Sequence, residues 1–590
     1  MEFPATDEQK RAILASERTR VDGEWYDIGY HTILRSGDRP GIADDDTADN
    51  GTFGLMRDQN GDPVLDSGDG SHFIANSADY NSILTVGDKL HMVTHFESLP
   101  GGAYLTEVAQ DAKTGALTAV STENIDFSAW GGLWNPCAGS VTPWGTHLGG
   151  EEYPPEARGW SAVTSIEELH EDYARPMLRY FNIDVSDPSA VEMEAVRAVY
   201  TPYDYGWAWE FALDSEGAQT LEKHYVMGRI SFELAYVMPD QKTVYLTDDG
   251  TNVGLFMFVA DEAGALDAGT LYAMKWNQTS DEGAGEAEIE WVDLGHATNA
   301  DIRAYLDREE GIAFEDIFEV ADGLTEGEGD DATLTGECPE GFQSTNAGDP
   351  LFECLKLKEG METAASRFET RRYAAYLGAT TELRKEEGLT FDPDASRMFV
   401  AMSAVERGME DNKKNGEDNP QYDIGGPNDI RLNANTCGAV YGLDVDSDET
   451  IGSDFVAINW YGIVEGIEKT YADDSPEAGN SCDVDGIANP DNVTFITGYN
   501  TLIIGEDTAK HQNDVIWEYD LEREELVRIQ TTPYGSETTS PYWYANIGGY
   551  GYITSVVQHP YGESDQDQVQ DPTDELAYVG VVGPFPSMDE

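Results

Sequence analysis

Short apolar or alternating runs follow one another along this chain, and each run is broken by Gly, Asp, Asn or Pro. Such runs are typical of β-strands that are separated by tight turns. Amphipathic helical patterns are few and short, covering residues 7–16, 165–173, 299–308 and 362–377. The sequence therefore predicts an all-β fold with helical decorations.

A loose module recurs among these runs: a Pro-Asp or Asp-Pro turn, a strand ending in an aromatic residue or Val, and a short acidic or small-residue cap. It occupies residues 238–250, 391–403 and 489–507. Repeated short-strand modules are typical of a β-propeller, in which each blade presents loop ends to a central channel. The irregular spacing requires insertions, which we place at residues 325–360 and in a polar loop at 410–429. We predict one irregular β-propeller with helical and loop insertions spanning residues 1–590.

The charge of the chain restricts its partners. The 113 Asp and Glu residues outnumber the 35 Lys and Arg residues, which gives a formal charge of −78. Such a charge opposes nucleic acids and anionic membranes, and an anionic substrate would approach only where bound cations reverse the local field. Hydrophobic residues still make up 40% of the chain, so wholesale disorder is excluded. We interpret the acidity as surface solvation, typical of a halophilic (saline-exposed) or secreted protein.

Neither a membrane span nor a signal peptide is visible. The apolar stretches are far shorter than the roughly 18 residues that a membrane helix needs. Residues 1–20 are polar and acidic, without a basic segment followed by an apolar one. A cytoplasmic protein and a mature exported form both remain open on this observation.

Five cysteines occur, at positions 137, 338, 354, 437 and 482. Cys338 and Cys354 flank a loop rich in Gly, Asp and Asn, a spacing that suits a local disulfide. Cys437 and Cys482 could pair across a longer loop, although the sequence does not fix the connectivity. We predict the disulfide Cys338–Cys354, accompanied by Cys437–Cys482, which would indicate an oxidising compartment. Cys137 is then left over.

Adjacent carboxylates, and not a known catalytic motif, are the distinctive chemical feature of this sequence. The sequence lacks a phosphate-binding GxxxxGK[ST] loop, a GxGxxG turn, a GxSxG nucleophile elbow and an HExxH zinc motif. Adjacent carboxylates instead recur at strand ends or tight turns: Glu151-Glu152, Asp248-Asp249, Glu386-Glu387 and Glu506-Asp507. Such pairs suit hard cations such as Ca²⁺, which takes six to eight oxygen ligands. A solvated surface remains the alternative reading of each pair.

Nine segments together resemble the PhoX-type alkaline phosphatases, which are calcium- and iron-dependent β-propeller phosphatases. They occur in the family's order and span most of the chain: NPCAGSVTPWGTHLGGEEY (135–153), YGWAWEF (205–211), GRISFE (228–233), VYLTDDGTNVGLFMFV (244–259), GTLYAMKW (269–276), LRKEEGLTFDP (383–393), NPDNV (489–493), GSETTSPYW (535–543) and VVQHPYGE (556–563). The resemblance implies a metal-dependent phosphatase that hydrolyses phosphate monoesters, with two Fe³⁺ and two or more Ca²⁺ at the propeller centre. It also implies a periplasmic or secreted protein with a small phosphate-ester substrate, which we expect to be a monomer.

The resemblance also implies a set of metal ligands. Cys137 resembles the iron-bound cysteine of the family, and the carboxylates expected to complete the metal shells are Glu151, Glu152, Glu233, Glu387, Asp491 and Glu537. A thiolate suits a transition metal, whereas oxygen-only shells suit calcium.

The sequence departs from the family at one point. Where the family commonly has Arg-Pro-Glu, this chain has Arg384-Lys385-Glu386-Glu387. The resemblance implies a catalytic cation that contacts the substrate phosphate, which would be Lys385 by register or Arg384 after a one-residue slip. Lys is a point charge and cannot hold two phosphate oxygens in the planar, bidentate manner of Arg. We also expect the insertion at 325–360 to cover the site or to make it selective.

Two other classes of protein remain open. One is a non-catalytic secreted binding propeller in which Ca²⁺ only staples loops, and Cys137 argues against it because such a protein needs no thiol in its central channel. The other is a related metal-propeller hydrolase such as a phosphodiesterase, phytase or lactonase, which activity on monoesters and diesters would distinguish.

Overall fold

The computed structural model describes residues 1–42, 51–66, 68, 70–308, 311–326, 333–348 and 351–588. Within these residues, five antiparallel sheets, one of them ten-stranded, form the six blades of a β-propeller, which confirms the predicted fold class. A cavity of about 240 Å³ lies along the axis and is lined by residues from the innermost strands of all six blades. The central channel is therefore built from six inner strands.

The first two blades use strands β5–β8 and β9–β12. Before them lie α1 Asp7–Lys10, β1 Leu14–Ala15, β2 Arg18–Val21, β3 Glu24–Asp27 and β4 Gly29–Arg35. The first blade contains β5 Ala78–Val86, β6 Lys89–Phe96, β7 Gly102–Gln110 and β8 Leu117–Asn124. The second contains β9 Pro136–Val141, β10 His147–Glu151, the helices α2 Ala174–Met177 and α3 Met193–Arg197, then β11 Ala208–Leu213 and β12 Gln219–Lys223.

The third blade is followed by a long insertion. Its strands are β13 Phe232–Val237, β14 Thr243–Asp248, β15 Thr251–Val253, β16 Phe256–Glu262, β17 Ala265–Ser280 and β18 Glu286–Thr298. The insertion contains α4 Asn299–Leu306, α5 Phe314–Ile317, β19 Phe318–Ala321, β20 Thr325–Glu326, β21 Thr333–Leu334, β22 Gln343–Asn346, β23 Phe352–Leu357, α6 Glu362–Phe368 and α7 Thr370–Leu377. Residues 327–332 and 349–350 of the expected 325–360 insertion lie outside the described residues.

The last three blades complete the ring. The fourth contains β24 Leu383–Arg384, β25 Glu386–Asp392, β26 Arg397–Met402, β27 Lys413–Lys414, β28 Glu417–Asp418, β29 Ala439–Asp448, β30 Ser453–Ala457 and β31 Asn459–Glu465. The fifth contains β32 Pro490–Ile496, β33 Thr501–Glu506, β34 Val515–Asp520 and β35 Glu525–Thr531. The sixth contains β36 Glu537–Thr539, β37 Trp543–Ile547, β38 Tyr550–Gln558 and β39 Tyr578–Pro586.

Pairing between distant segments closes the propeller. Strand β4 pairs with β39, so a segment near the start of the chain supplies the outer strand of the sixth blade. Strand β18 of the third blade pairs with β31 of the fourth, which joins two blades into one ten-stranded sheet. The expected polar loop at 410–429 lies between β26 and β29 and holds the β27–β28 hairpin.

Residues 152–207, between β10 and β11, form a cap with its own apolar core. Its buried side chains include Ile166, Met177, Phe181 and Val196. They pack against the fully buried Trp134, which lies just before β9 of the second blade. The cap carries α2 and α3, and it begins immediately after Glu151. The second blade therefore places a folded segment beside the end of the channel where β10 finishes.

The helical predictions are only partly correct. The helix at 299–308 is confirmed as α4. Residues 362–377 are helical as predicted, except that the backbone leaves the helical conformation at Glu369, which divides the segment into α6 and α7. The helix at 7–16 ends at Lys10, because Leu14 and Ala15 pair with blade five instead. The helix predicted at 165–173 is wrong: Ser165 caps only a short 3₁₀ turn.

Both predicted disulfides are confirmed. Cys338 pairs with Cys354, and Cys437 pairs with Cys482. Cys137 is the free cysteine among the described residues. No helix in the described part of the chain is both long and apolar enough to cross a membrane.

Candidate metal centre

Each inner strand begins with a side chain that can bind a metal. These residues are Asp79 on β5, Cys137 on β9, Glu233 on β13, Glu387 on β25, Asp491 on β32 and Glu537 on β36. The side chain belongs to the second residue of the strand in the first five blades and to the first residue in the sixth. Six blades thus present one such residue each at the same end of the channel.

The second strand of each blade contributes to the same end. Because it runs antiparallel to the inner strand, its last residues lie beside the first residues of that strand. The residues directly after these strands are Glu97, Glu152, Asp249, Ser403, Asp507 and His559. We call these six residues and the six inner-strand residues together the channel ring.

A β-bulge accompanies the ring residue in each of the first five blades. In the third blade, Phe232 pairs with Asp248 but the next pair is Ala235 with Leu246, so the inner strand holds one extra residue around Glu233. The same one-residue excess follows Ala78, Pro136, Glu386 and Pro490 in the other four. A bulge bends the strand and re-aims a side chain, which here accounts for the repeated position of the ring residues.

Potential ligand atoms approach one another closely within the ring. Cys137 Sγ lies 3.2 Å from Glu233 Oε2 and 3.9 Å from Asp79 Oδ2. Four groups have ligand atoms within 4.8 Å of one another: Asp79, Glu97 and Cys137; Cys137, Glu152 and Glu233; Glu233, Glu387 and Asp491; Glu537, His559 and Glu563. Three of the groups are linked through Cys137 and Glu233, so they form one continuous cluster.

The ring concentrates negative charge in a buried place. Burial, followed by neighbouring carboxylates, raises the pKa values of Glu233, Asp491 and Glu537. Burial and then Asp249 raise the pKa of Glu387 to about 7. Without a bound cation, burial and mutual repulsion favour the protonated, uncharged form of these carboxyl groups. A bound cation would let them ionise instead.

Lys385 supplies a positive charge inside the ring. Its Nζ lies 3.3 Å from Glu387 Oε1, 3.7 Å from Asp249 Oδ2 and 3.9 Å from Asp507 Oδ2. Although burial opposes the charged form, Asp249 and Glu387 raise the pKa of Lys385. Arg384 lies elsewhere, with Nε 3.3 Å from Glu406 and Nη1 donating to the carbonyl of Gly250. Of the two cations considered from the sequence, Lys385 is the one beside the ring.

Glu151 does not reach the ring, contrary to expectation. Its carboxylate lies 2.9 Å from the Lys223 ammonium and accepts hydrogen bonds from the backbone amides of Trp134, Gly206 and Trp207. Both Glu151 and Lys223 are buried. All of these donors belong to the protein, so we leave Glu151 out of the proposed ligand set.

The other adjacent carboxylates divide in the same way. In each of the other three pairs the second residue belongs to the ring; these residues are Asp249, Glu387 and Asp507. The first members face elsewhere: Asp248 pairs with Arg371, and Glu506 accepts from His511 and Trp517. Successive side chains at a strand end point to opposite faces. That alternation assigns one member of each pair to the ring.

Several ring residues escape prediction from the sequence. Asp79 and Glu97 stand alone in unremarkable strand ends, and His559 lies in the recognised VVQHPYGE segment without an assigned role, as does its neighbour Glu563 outside the ring. Asp249 and Asp507 lie in recognised acidic pairs, so strand alternation would have selected them. The predicted residues Cys137, Glu152, Glu233, Glu387, Asp491 and Glu537 all lie in the ring.

Comparison with known families identifies the class of protein. The family model of the alkaline phosphatase PhoX matches residues 107–546, which is most of the chain. The protein belongs to the PhoX alkaline phosphatase family. No curated protein sequence matches it.

One solved structure shows the same fold. PhoX of Pseudomonas fluorescens, solved in complex with vanadate as a transition-state analogue, is 16% identical and has a TM-score of 0.57. The alignment covers 97% of this chain and 98% of that one. A candidate 6-phosphogluconolactonase from Bacteroides uniformis is 10% identical, with 86% of each chain covered and a TM-score of 0.29.

Proposed function

We propose that this member of the PhoX family hydrolyses phosphate monoesters at the channel ring, with iron near Cys137 and calcium near Glu387. The carrying observation is that six blades each place a carboxylate or thiol at one end of the channel. So many buried carboxyl groups, with Lys385 among them, form a cation site that can also attract a phosphate ester once it is loaded.

The donor atoms fit these metals. The two groups that contain Cys137 combine a thiol with carboxylates, a set that suits a transition metal, and their residues would hold the two iron ions that we propose. The group of Glu233, Glu387 and Asp491 offers only oxygen, which suits calcium. Oδ1 of the buried Asp249 has no hydrogen-bond partner among the described atoms and so is open to a further cation. We propose two or more calcium ions on this basis.

When bound, the metals would supply Lewis acidity at the phosphoryl group. The chain's own residues would do the positioning. Lys385 would place its compact positive charge on the equatorial phosphoryl oxygens, where negative charge accumulates in phosphoryl transfer. Ser403 Oγ donates to Glu387 Oε1 at 2.8 Å, and the Tyr153 hydroxyl donates to Asp249. These two contacts fix the carboxylates that face Lys385.

The location of the protein is part of the proposal. Two disulfides form in this chain, and disulfides persist in oxidising compartments. We propose a periplasmic or secreted enzyme whose acidity keeps it soluble in saline surroundings and which acts as a monomer.

The test replaces the free thiol. We expect Cys137→Ala to lower phosphomonoesterase activity by at least about 100-fold, since even contacts that support a metal ligand contribute up to that much. We expect it to lower the iron content measured by mass spectrometry while the circular dichroism spectrum is kept. Ser189→Ala, on the exposed cap surface, is the control.

Other outcomes would point elsewhere. Full turnover in Cys137→Ala would reject the proposed site. Calcium content without activity on any ester would favour a calcium-stapled binding propeller, and a preference for diesters would favour a phosphodiesterase.

A further inference from the structure

A cavity of about 610 Å³ lies between the cap and the insertion that carries α6 and α7. Aromatic side chains dominate its cap wall: Tyr153, Trp160, His170, Tyr173 and Tyr200. The rings contact one another, with centroids of Trp160 and Tyr200 5.4 Å apart and those of His170 and Tyr173 4.8 Å apart. Two groups of contacting rings thus line the cavity: Tyr153, Tyr173 and His170 in one, and Trp160 and Tyr200 in the other.

This cavity shares a wall with the channel ring. Tyr153 lines the cavity, and its hydroxyl donates to Asp249 of the ring. The ring of Tyr173 lies 5.6 Å from that of Tyr153. Tyr173 therefore lies next to the residue that joins the cavity to the ring. A molecule anchored at the ring could therefore extend across Tyr153 into the cavity.

The cations around the cavity are engaged by acidic partners. Arg372 contacts three carboxylates, of Glu156, Glu353 and Glu369, at 2.6–2.8 Å. Arg371 is paired with Asp248. Because these guanidinium groups are already neutralised by carboxylates, a second anionic group on the substrate would gain little there. The cavity favours an uncharged occupant.

Arg229 does not alter this conclusion. It is buried, and its Nε and Nη2 donate to the backbone carbonyls of Tyr205 and Pro202.

We propose that this cavity receives the leaving group of the phosphate monoester, and that its preferred leaving group is planar, aromatic and uncharged. This inference rests on the proposed function of the ring. Flat rings gain from offset or edge-on contact with aromatic side chains, a gain that an aliphatic alcohol lacks. Tyr173, on the wall nearest the ring, is the specificity-determining residue.

The test compares phenylphosphonate with methylphosphonate, which share the phosphonate anchor and differ in the aryl group. Calorimetry on the metal-loaded full chain should show phenylphosphonate binding about tenfold tighter, the gain expected of an aromatic contact. Tyr173→Phe keeps the ring and should keep this ratio, whereas Tyr173→Leu keeps an apolar side chain but removes the ring and should bring the ratio close to one. Tyr499→Ala, an exposed tyrosine outside the cavity, should leave the ratio unchanged.

Hydrolysis of glycerol 2-phosphate, measured in parallel, separates this inference from the proposed function. If the wild type hydrolyses this ester but binds both phosphonates equally, the cavity assignment is overturned and the function stands. A tenfold preference that survives in Tyr173→Leu overturns the role of Tyr173. If neither phosphonate binds and no ester is hydrolysed, the proposed function fails first.

Discussion

Two neighbouring glutamates at the end of β10 have different surroundings. Glu151 is held by Lys223 and three backbone amides, whereas Glu152 faces Cys137 and Glu233 in the channel ring. Glu151 therefore has its charge compensated within the protein. Burial and then nearby carboxylates raise the pKa of Glu152, which depends on a cation to ionise.

Amide substitutions should separate these two roles. We expect Glu151→Gln to destabilise the fold by about 3–5 kcal/mol, because it leaves the Lys223 ammonium buried and unpaired. Its metal content per folded molecule should stay at the wild-type value. We expect Glu152→Gln to lose metal, while its metal-free form is no less stable than metal-free wild type, because one of several crowded like charges is removed. Urea denaturation and metal analysis of both variants measure this, and metal loss from a fully stable Glu151→Gln protein would contradict it.

The ring residues show what the sequence could predict at this scale. Cys137, Glu152 and Glu387 stand in distinctive segments, and each lies in the ring. Asp79 stands alone in an ordinary strand. It is recognised as a ring residue only because the structure places it at the same position of its inner strand as the ring residues of the other blades. Glu151 lies outside the ring, because adjacent residues of a strand point to opposite faces and Glu152 is the member of the pair that faces the channel.

At the scale of elements, glycine permits the inner strands to approach. A Cβ on Gly388 of β25 would lie 2.8 Å from the Asn492 Cα and 3.0 Å from the Asp491 carbonyl oxygen. These are backbone atoms of β32, so a larger residue must move one strand away from the other. That contact holds Glu387 and Asp491 within ligand distance.

We expect Gly388→Ala to weaken calcium binding by at least about tenfold, because overpacking shifts the backbone at a cost of about 1–3 kcal/mol. Titration of the chelator-treated protein with Ca²⁺ measures the effect. Gly486→Ala is the matched control, because a Cβ there meets its nearest neighbours at ordinary distances, from 3.6 Å. Equal calcium affinity in the two variants would contradict the view that the close approach of β25 and β32 is needed for calcium binding.

Elements were predicted best where periodicity was strong. The module predicted at 391–403 contains β26, a strand that is almost wholly buried within its sheet. The helix predicted at residues 165–173 is absent, because this segment forms a short 3₁₀ turn and packs its apolar side chains into the cap core. The cap itself was not predicted, because its core draws on Trp134 and Leu99 from outside the segment.

At the scale of the whole molecule, a charge of −78 makes cations structural partners. We propose that residues 1–590 form one folding unit, because β4 and β39 close the sixth blade and β18 and β31 join the third to the fourth.

Chelation should therefore lower the melting temperature. Metal at 100 times its Kd stabilises the folded state by about 2.7 kcal/mol, and chelation removes that contribution. Calcium should restore more of the melting temperature than sodium at matched ionic strength, because sodium only screens charge. Calorimetric scans of treated protein provide the measurement. Equal recovery with the two salts would show that the ring binds no calcium specifically.

The pairing of β4 with β39 also fixes an order of events during biosynthesis. Strand β4 is translated before any of the blades, but β39 is the last of the described strands to be made. Until then the sixth blade lacks its outer strand, and Glu537 and His559 of that blade are not held in place by a finished sheet. The growing chain therefore carries an incomplete channel ring. The full ligand set is therefore held in place only after β39 has been made and has paired with β38 and β4.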